Sequence, residues 1–261
     1  MSTARGPAVD MRQNHDLAHQ SKGRAVRDPK PRLAIIGFGA FGQLIAPHLR
    51  DHARVCICDS VQRSYDLPQV DLTQAADCDI VLLAVPLSRL EHVLQVIAPH
   101  LRAGTTVIDV TSVKVRPAQL MQSILSAHVQ IIASHPLFGP ESARDGIVGH
   151  RIAWCPLRGT SSRRLAAFLR QQGLQVLITT PDQHDRDMAV VQGLTHLIAR
   201  SLAALGPMPS RLTTTSFQRL IEAAAMVQSD TPELLQTILT ENPHAEPVQR
   251  RFLSAAAGLL P

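Results

Sequence analysis

Six residues constrain this chain more than any others: Gly37-Phe-Gly39-Ala40-Phe41-Gly42, set directly after the apolar run Leu33-Ala-Ile-Ile36. A short apolar run ending in glycines reads as a buried strand, and G-x-G-x-x-G reads as the turn from that strand into a helix. The first glycine permits the tight turn, the second lets the backbone approach a pyrophosphate, and the third lets the helix pack on the strand. The helix N-terminus, with Ala40 and Phe41, then faces the anion. A second strand is expected at Val55-Cys-Ile-Cys58, and Asp59 ends it some twenty residues after Gly39. A carboxylate there hydrogen-bonds the ribose hydroxyls of NAD and repels a 2′-phosphate, so NAD is expected over NADP, although Arg63 stands close by. Pro86, which stops the third strand, completes the cofactor-side set of Gly37, Gly39, Ala40, Phe41, Gly42 and Asp59.

Strands and helices alternate from Pro31 onward. Further strands are expected at Asp79–Val85, Thr106–Asp109, Val129–Ala133, Arg151–Cys155 and Leu174–Ile178. Between them fall a helix at Gln43–Arg50 that Pro47 should kink or shorten, one with Leu90, Val93, Leu94 and Ile97 on one face, one from Pro117, and one over 161–172. This order predicts an α/β fold, a doubly wound, mostly parallel sheet over 32–181. After that only helices are expected. Met188, Val191, Leu194, Ile198, Leu202 and Leu205 recur at steps of three or four as one apolar stripe. Shorter helices follow near 216–228, 231–241 and 247–259, the last two opened by Pro232 and Pro247. Residues 182–261 thus read as a small all-helical domain, and 1–31 as a disordered basic tail.

Charge narrows the partners. The net charge is +5, but seven of the 26 Lys and Arg lie within residues 1–32 against three of the 21 Asp and Glu, so the remaining body is nearly neutral. Aromatic residues are 3%, too few for the stacking platforms of single-strand binders, and no nucleic-acid partner is expected. No apolar run reaches the ~18 residues of a membrane span, and none is expected. Cys56, Cys58, Cys78 and Cys155 form no C-x-x-C pair, and no apolar signal core opens the chain. They read as reduced thiols in a cytoplasmic protein, with Met11 an alternative start.

Two more polar clusters follow strand ends, where open parallel sheets bind ligands. They are Asp109-Val-Thr-Ser112-Val-Lys114 and Ser134-His135-Pro-Leu-Phe-Gly139-Pro-Glu-Ser142. The chain has 12 histidines, and His135 stands out by its position just past a strand of the nucleotide sheet. An imidazole there serves as acceptor or base for a substrate hydroxyl, and Ser112 aligns either the hydroxyl or the ring. On the first long helix after the sheet, Gln192, Thr195 and His196 form a polar strip at steps of three and four.

G-F-G-A-F-G, D-V-T-S-V-K and S-H-P-L-F-G-P-E-S in this order resemble the prephenate/arogenate dehydrogenases of tyrosine biosynthesis (the TyrA family), most of all the plant type. The resemblance runs from about Arg32 to the C-terminal helices. It implies oxidation and decarboxylation of a cyclohexadienyl substrate, with hydride passing to the nicotinamide and no metal needed. It makes His135 the catalytic group on the ring hydroxyl and Ser112 its partner. It also makes Gln192, Thr195, His196 and Thr214 substrate contacts and implies a homodimer formed through the helical domain. Plant-type members usually carry a Ser-Arg pair after the second strand, suited to NADP; Asp59-Ser60-Val61 departs from it and favours NAD.

Asp230 matches the acid that this resemblance associates with arogenate, whose ammonium a carboxylate attracts, whereas prephenate carries a keto group there. The alternative for Asp230 is a capping box with Glu233. The arginine that grips the side-chain carboxylate in many bacterial members has no counterpart in Ala223–Val227, leaving Arg219 or a partner subunit to supply it. The expected function is an NAD-dependent arogenate dehydrogenase. The alternatives are a prephenate or dual-specificity enzyme and, from another class, a non-catalytic NAD-binding regulator.

Overall fold

The computed structural model describes Met1 and residues 30–61, 65–208, 211–228 and 230–259; the basic tail apart from Met1, Lys30 and Pro31, and also Arg63, lie outside the described residues. The apolar runs form the strands. β1 (Arg32–Ile36) is flanked by β2 (Arg54–Cys58) and β3 (Ile80–Leu83), then come β4 (Thr106–Asp109), β5 (Gln130–Pro136), β6 (Arg151–Arg158) and β7 (Gln175–Ile178). The sheet order is β2-β1-β3-β4-β5-β6-β7. Both faces of β1 are buried: Ala34 and Ile36 join one apolar core with Val81, Leu83, Leu94 and Val107, while Leu33 and Ile35 join the other with Leu82, Ile108, Ile132 and Trp154. That is why these strands read as continuous rather than alternating apolar runs.

The strand order reverses between β1 and β3, which places the ligand crevice of an open α/β sheet at the carboxyl end of β1. β1 to β5 are parallel, and β6 runs antiparallel to β5. No helix lies between β5 and β6, so the chain turns back without the crossover that parallel pairing requires.

The helices depart from expectation in four places. α1 (Ala40–Leu49) starts three residues sooner and keeps Pro47 inside its last turn, ending two residues beyond it. α2 (Leu72–Ala76) was not expected; Asp71 and Gln74 form a reciprocal capping box that starts it. α3 (Leu87–Ile97), α4 (Val115–Ile124) and α5 (Ser161–Gln171) fall close to their predicted places. α6 (Pro181–Ala204) then begins ahead of Met188, the first residue of the apolar stripe, capped by Thr180. α7 (Thr215–Ala225) and α9 (Ala245–Ala257) agree with the sequence reading, but α8 stops at Pro232–Gln236 and continues as a wide turn over Thr237–Glu241.

The apolar stripe of α6 is corrected as well. Its buried residues are His184, Asp185, Ala189, Gly193, His196 and Ala199, whereas Val191 and Leu205 are 61% and 76% exposed. α7 and α9 pack against α6, and Met188, Leu194, Ile198 and Leu202 of the stripe are half-buried. Among the described residues, no helix is long and apolar enough to cross a membrane.

Candidate active site

The glycine turn is built for two separate reasons. Gly37 has φ +93°, and a Cβ there would lie 2.5 Å from the Ala84 carbonyl oxygen; one on Gly42 would lie 2.5 Å from the Gly37 oxygen. The chain itself therefore requires both. Gly39 differs: a Cβ there would meet nothing within 4 Å. Gly39 is also the N-cap of α1, with no side-chain cap and no acid in the first turn formed by Ala40 and Phe41. Open space in front of a helix start with unused N–H groups suits a pyrophosphate. Asp59, half-buried at the end of β2, accepts from the Phe38 N–H at 2.5 Å and the Val61 N–H at 2.8 Å. Its carboxylate thus stands against the turn, where a ribose would lie. Pro86 is the exposed N-cap of α3 at the end of β3. These features fit a dinucleotide.

The second cluster sits at the ends of β4 and β5. Lys114, fully buried, forms an ion pair with Asp109 and donates to the Ser134 carbonyl at 2.6 Å. The Ser134 hydroxyl donates to the Asp109 carbonyl at 2.8 Å. This knot ties the loop after β4 to the strand residue just before His135. From α6, Asp185 accepts the backbone N–H groups of Lys114 at 2.7 Å and Val115 at 2.8 Å, at the start of α4. His184 Nδ1 lies 2.7 Å from Asp185 Oδ1, and His184 Nε2 lies 3.0 Å from His135 Nδ1.

His135 is 6% exposed. Among the described residues no fully buried side-chain polar atom lacks a partner, and His135 Nε2 bonds to none, so Nε2 is the ring atom left accessible. Burial, and after it the neighbouring His184 and Lys114, hold the His135 imidazole well below its ordinary range. A neutral ring with one open nitrogen is the form a general base requires.

Ser112 makes no hydrogen bond to His135, whose Nδ1 faces His184 Nε2. Ser112 is half-buried in the same loop and makes no hydrogen bond among the described residues. Sequence reasoning missed His184 and Asp185; two adjacent polar residues ahead of an apolar stripe were the available signal.

The helical side forms a third group. His196 is buried, with Nε2 2.9 Å from Asp230 Oδ2 and Nδ1 2.9 Å from the Gln192 carbonyl. The Arg200 guanidinium, also passed over in the sequence, donates to the Asp230 carbonyl at 3.3 Å. Asp230 does not cap α8: Thr231 does, accepting from the Leu234 N–H, while Glu233 reaches Ser88 on α3. The capping reading of Asp230 is thereby corrected, since its carboxylate turns to His196 instead. The Gln192 side chain is half-buried and unbonded among the described residues. Thr195 is exposed and donates to the Val191 carbonyl, and Thr214 caps α7, accepting from the Phe217 N–H. Local helix bonds occupy both threonines. Arg219 pairs with Glu222 on the exposed face of α7.

Fold and site together define a nucleotide-binding oxidoreductase architecture: a sheet whose order reverses at a glycine turn, followed by a helical extension. Residues 49–172 match the family model for the prephenate dehydrogenase nucleotide-binding domain and residues 180–258 that for the prephenate dehydrogenase dimerization domain, and the chain belongs to the prephenate/arogenate dehydrogenase family. The glycine turn lies ahead of the first matched segment, so it is a separate observation.

Among similar proteins, arogenate dehydrogenase 2 of Arabidopsis thaliana is 29% identical over 91% of this chain and 71% of its own length. A Methanocaldococcus jannaschii protein named as an arogenate/prephenate dehydrogenase is 29% identical over 67% of this chain, and the match spans 42% of that relative's length. The A. aeolicus prephenate dehydrogenase, crystallised with hydroxyphenyl propionate and NAD+, shares the fold with a TM-score of 0.71 at 20% identity, covering 89% of this chain and 90% of that one.

Proposed function

We propose that the chain oxidises and decarboxylates arogenate to tyrosine with NAD as hydride acceptor. The observation that carries this reading is His135: neutral, anchored through Nδ1, and open at Nε2 beside the crevice of the glycine turn. Gly37, Gly39, Ala40, Phe41, Gly42, Asp59 and Pro86 would hold NAD, which accepts hydride from the hydroxyl-bearing ring carbon when bound. As that carbon becomes a carbonyl, His135 Nε2 takes the hydroxyl proton, and Ser112 aligns the hydroxyl. The ring carboxylate leaves as carbon dioxide, and the electron pair of the broken C–C bond completes the aromatic ring. His135 then returns its proton to the phenolate oxygen, which balances the step.

Gln192, His196 and Asp230 supply the helical side of the substrate site, with Thr195 and Thr214 at its margin. Arg200 brings a guanidinium to this group and is our candidate for the side-chain carboxylate. Asp230 is 29% exposed at its side chain, and its second carboxylate oxygen is left for the arogenate ammonium. We read the assembly as a homodimer: Val190, Val191, Leu220 and Leu253 are exposed on α6, α7 and α9, within the segment that matches the family's dimerization domain.

The test is kcat/KM for arogenate and for prephenate. The wild type is expected to prefer arogenate, and Asp230→Asn to lower that preference about tenfold, which is about 1.4 kcal/mol. A wild-type preference for prephenate makes the enzyme a prephenate dehydrogenase; an unchanged ratio in the variant removes Asp230 from specificity.

A further inference from the structure

We propose that His184 and Asp185 are positioning residues that fix the tautomer of His135 and so keep its Nε2 bare for the substrate proton. This inference rests on the function proposed above.

The argument is one of donors and acceptors. A carboxylate only accepts, so the 2.7 Å contact to Asp185 Oδ1 places a hydrogen on His184 Nδ1. In the neutral form of its ring, His184 then presents Nε2 as an acceptor. His135 Nδ1, 3.0 Å away, must donate to it, which leaves His135 Nε2 without a hydrogen. The rings meet edge to face, centroids 5.1 Å apart and planes at 69°, so the ring-to-ring contact is directional. All three residues are buried, which keeps water from competing for the nitrogens.

Asp185 is itself held. It accepts the Lys114 and Val115 N–H groups, so its orientation is set by the start of α4 as well as by α6. The remaining charged groups in this cluster, Lys114 and Asp109, are tied to each other. His184 and Asp185 come from α6, while His135 ends β5, so the helical segment determines which nitrogen of the sheet's histidine is reactive.

The experiment pairs imidazole 15N spectra of the full-length protein with steady-state kinetics of the wild type, His184→Leu and His184→Gln. The wild type is expected to show hydrogen on His135 Nδ1 and none on Nε2 at neutral pH. His184→Leu removes the acceptor and should lower kcat by about 10²–10⁴-fold, the scale of losing a correctly protonated base, with substrate KM and NAD affinity little changed. His184→Gln places an amide oxygen near the lost acceptor and should recover at least about tenfold of that loss. Hydrogen found on His135 Nε2 of the wild type overturns the proposal, as does a His184→Leu enzyme that keeps both wild-type kcat and pH profile. The spectra decide even if His184→Leu does not fold. If the wild type turns over neither substrate while the tautomer and its dependence on His184 hold, the enzyme reading fails and the positioning pair stands.

Discussion

Replacing His135 with Asn should lower kcat for arogenate by about 10²–10⁴-fold, the usual contribution of a positioned general base, while NAD still binds. Asn can accept a hydrogen bond but cannot carry the proton away, and its shorter side chain leaves the glycine turn untouched. The wild-type pH profile should show the same residue from another side. His135 works as a base only when unprotonated, and burial holds its pKa well below the ordinary value of 6.5. Activity that depends on it therefore survives as pH falls to 6.5 and is lost only as pH falls further, through the depressed pKa. The acidic limb of kcat/KM in the free enzyme should lie below 6.5 and vanish in His135→Asn. A limb at the ordinary value, or a variant with near-normal kcat, would remove His135 from the chemistry.

The second large effect separates the glycines. Gly39→Val should leave the fold intact, with Tm within about 2–4 °C of the wild type, because a Cβ there meets nothing within 4 Å. Its side chain fills the space before the α1 N-terminus, so NAD affinity should fall roughly tenfold to a hundredfold. Gly42→Ala should do the reverse. Its Cβ is driven to 2.5 Å from the Gly37 oxygen, and overpacking against backbone costs about 1–3 kcal/mol of stability. Calorimetric NAD titration and thermal unfolding of both variants check this. Equal affinity in Gly39→Val would mean that the space has no ligand.

Much of the fold was legible because buried parallel strands are short apolar runs bounded by turn residues, and β1, β3 and β4 are of that kind. The five-residue α2 has no room for a hydrophobic period, and only its D-x-x-Q cap marked it. The α6 stripe shows a different limit. Periodicity says that one helix face is apolar but not whether that face packs inside the chain. Here Ala189, Gly193 and Ala199 pack inside and Val191 does not.

The same distinction governs the site. His135 could be singled out because it follows a strand of the nucleotide sheet, and Asp59 because it ends one. Their contacts are tertiary. His184 stands 49 residues beyond His135, and only the docking of α6 against the ends of β4 and β5 brings the two rings together. Asp109 and Lys114 are five residues apart in a quoted motif, yet their burial as a pair depends on β5 beside them. For Asp230 and Thr231, adjacent residues both suited to capping, the choice is made by His196, 34 positions away from Asp230.

The central claim is tested most directly by incubating the purified wild-type chain with arogenate and NAD and quantifying tyrosine, carbon dioxide and NADH together. The three should appear in equal amounts and only when NAD is present. NAD binding without any of these products from arogenate, and without hydroxyphenylpyruvate from prephenate, would contradict the account and leave a nucleotide-binding protein that does no chemistry on either substrate.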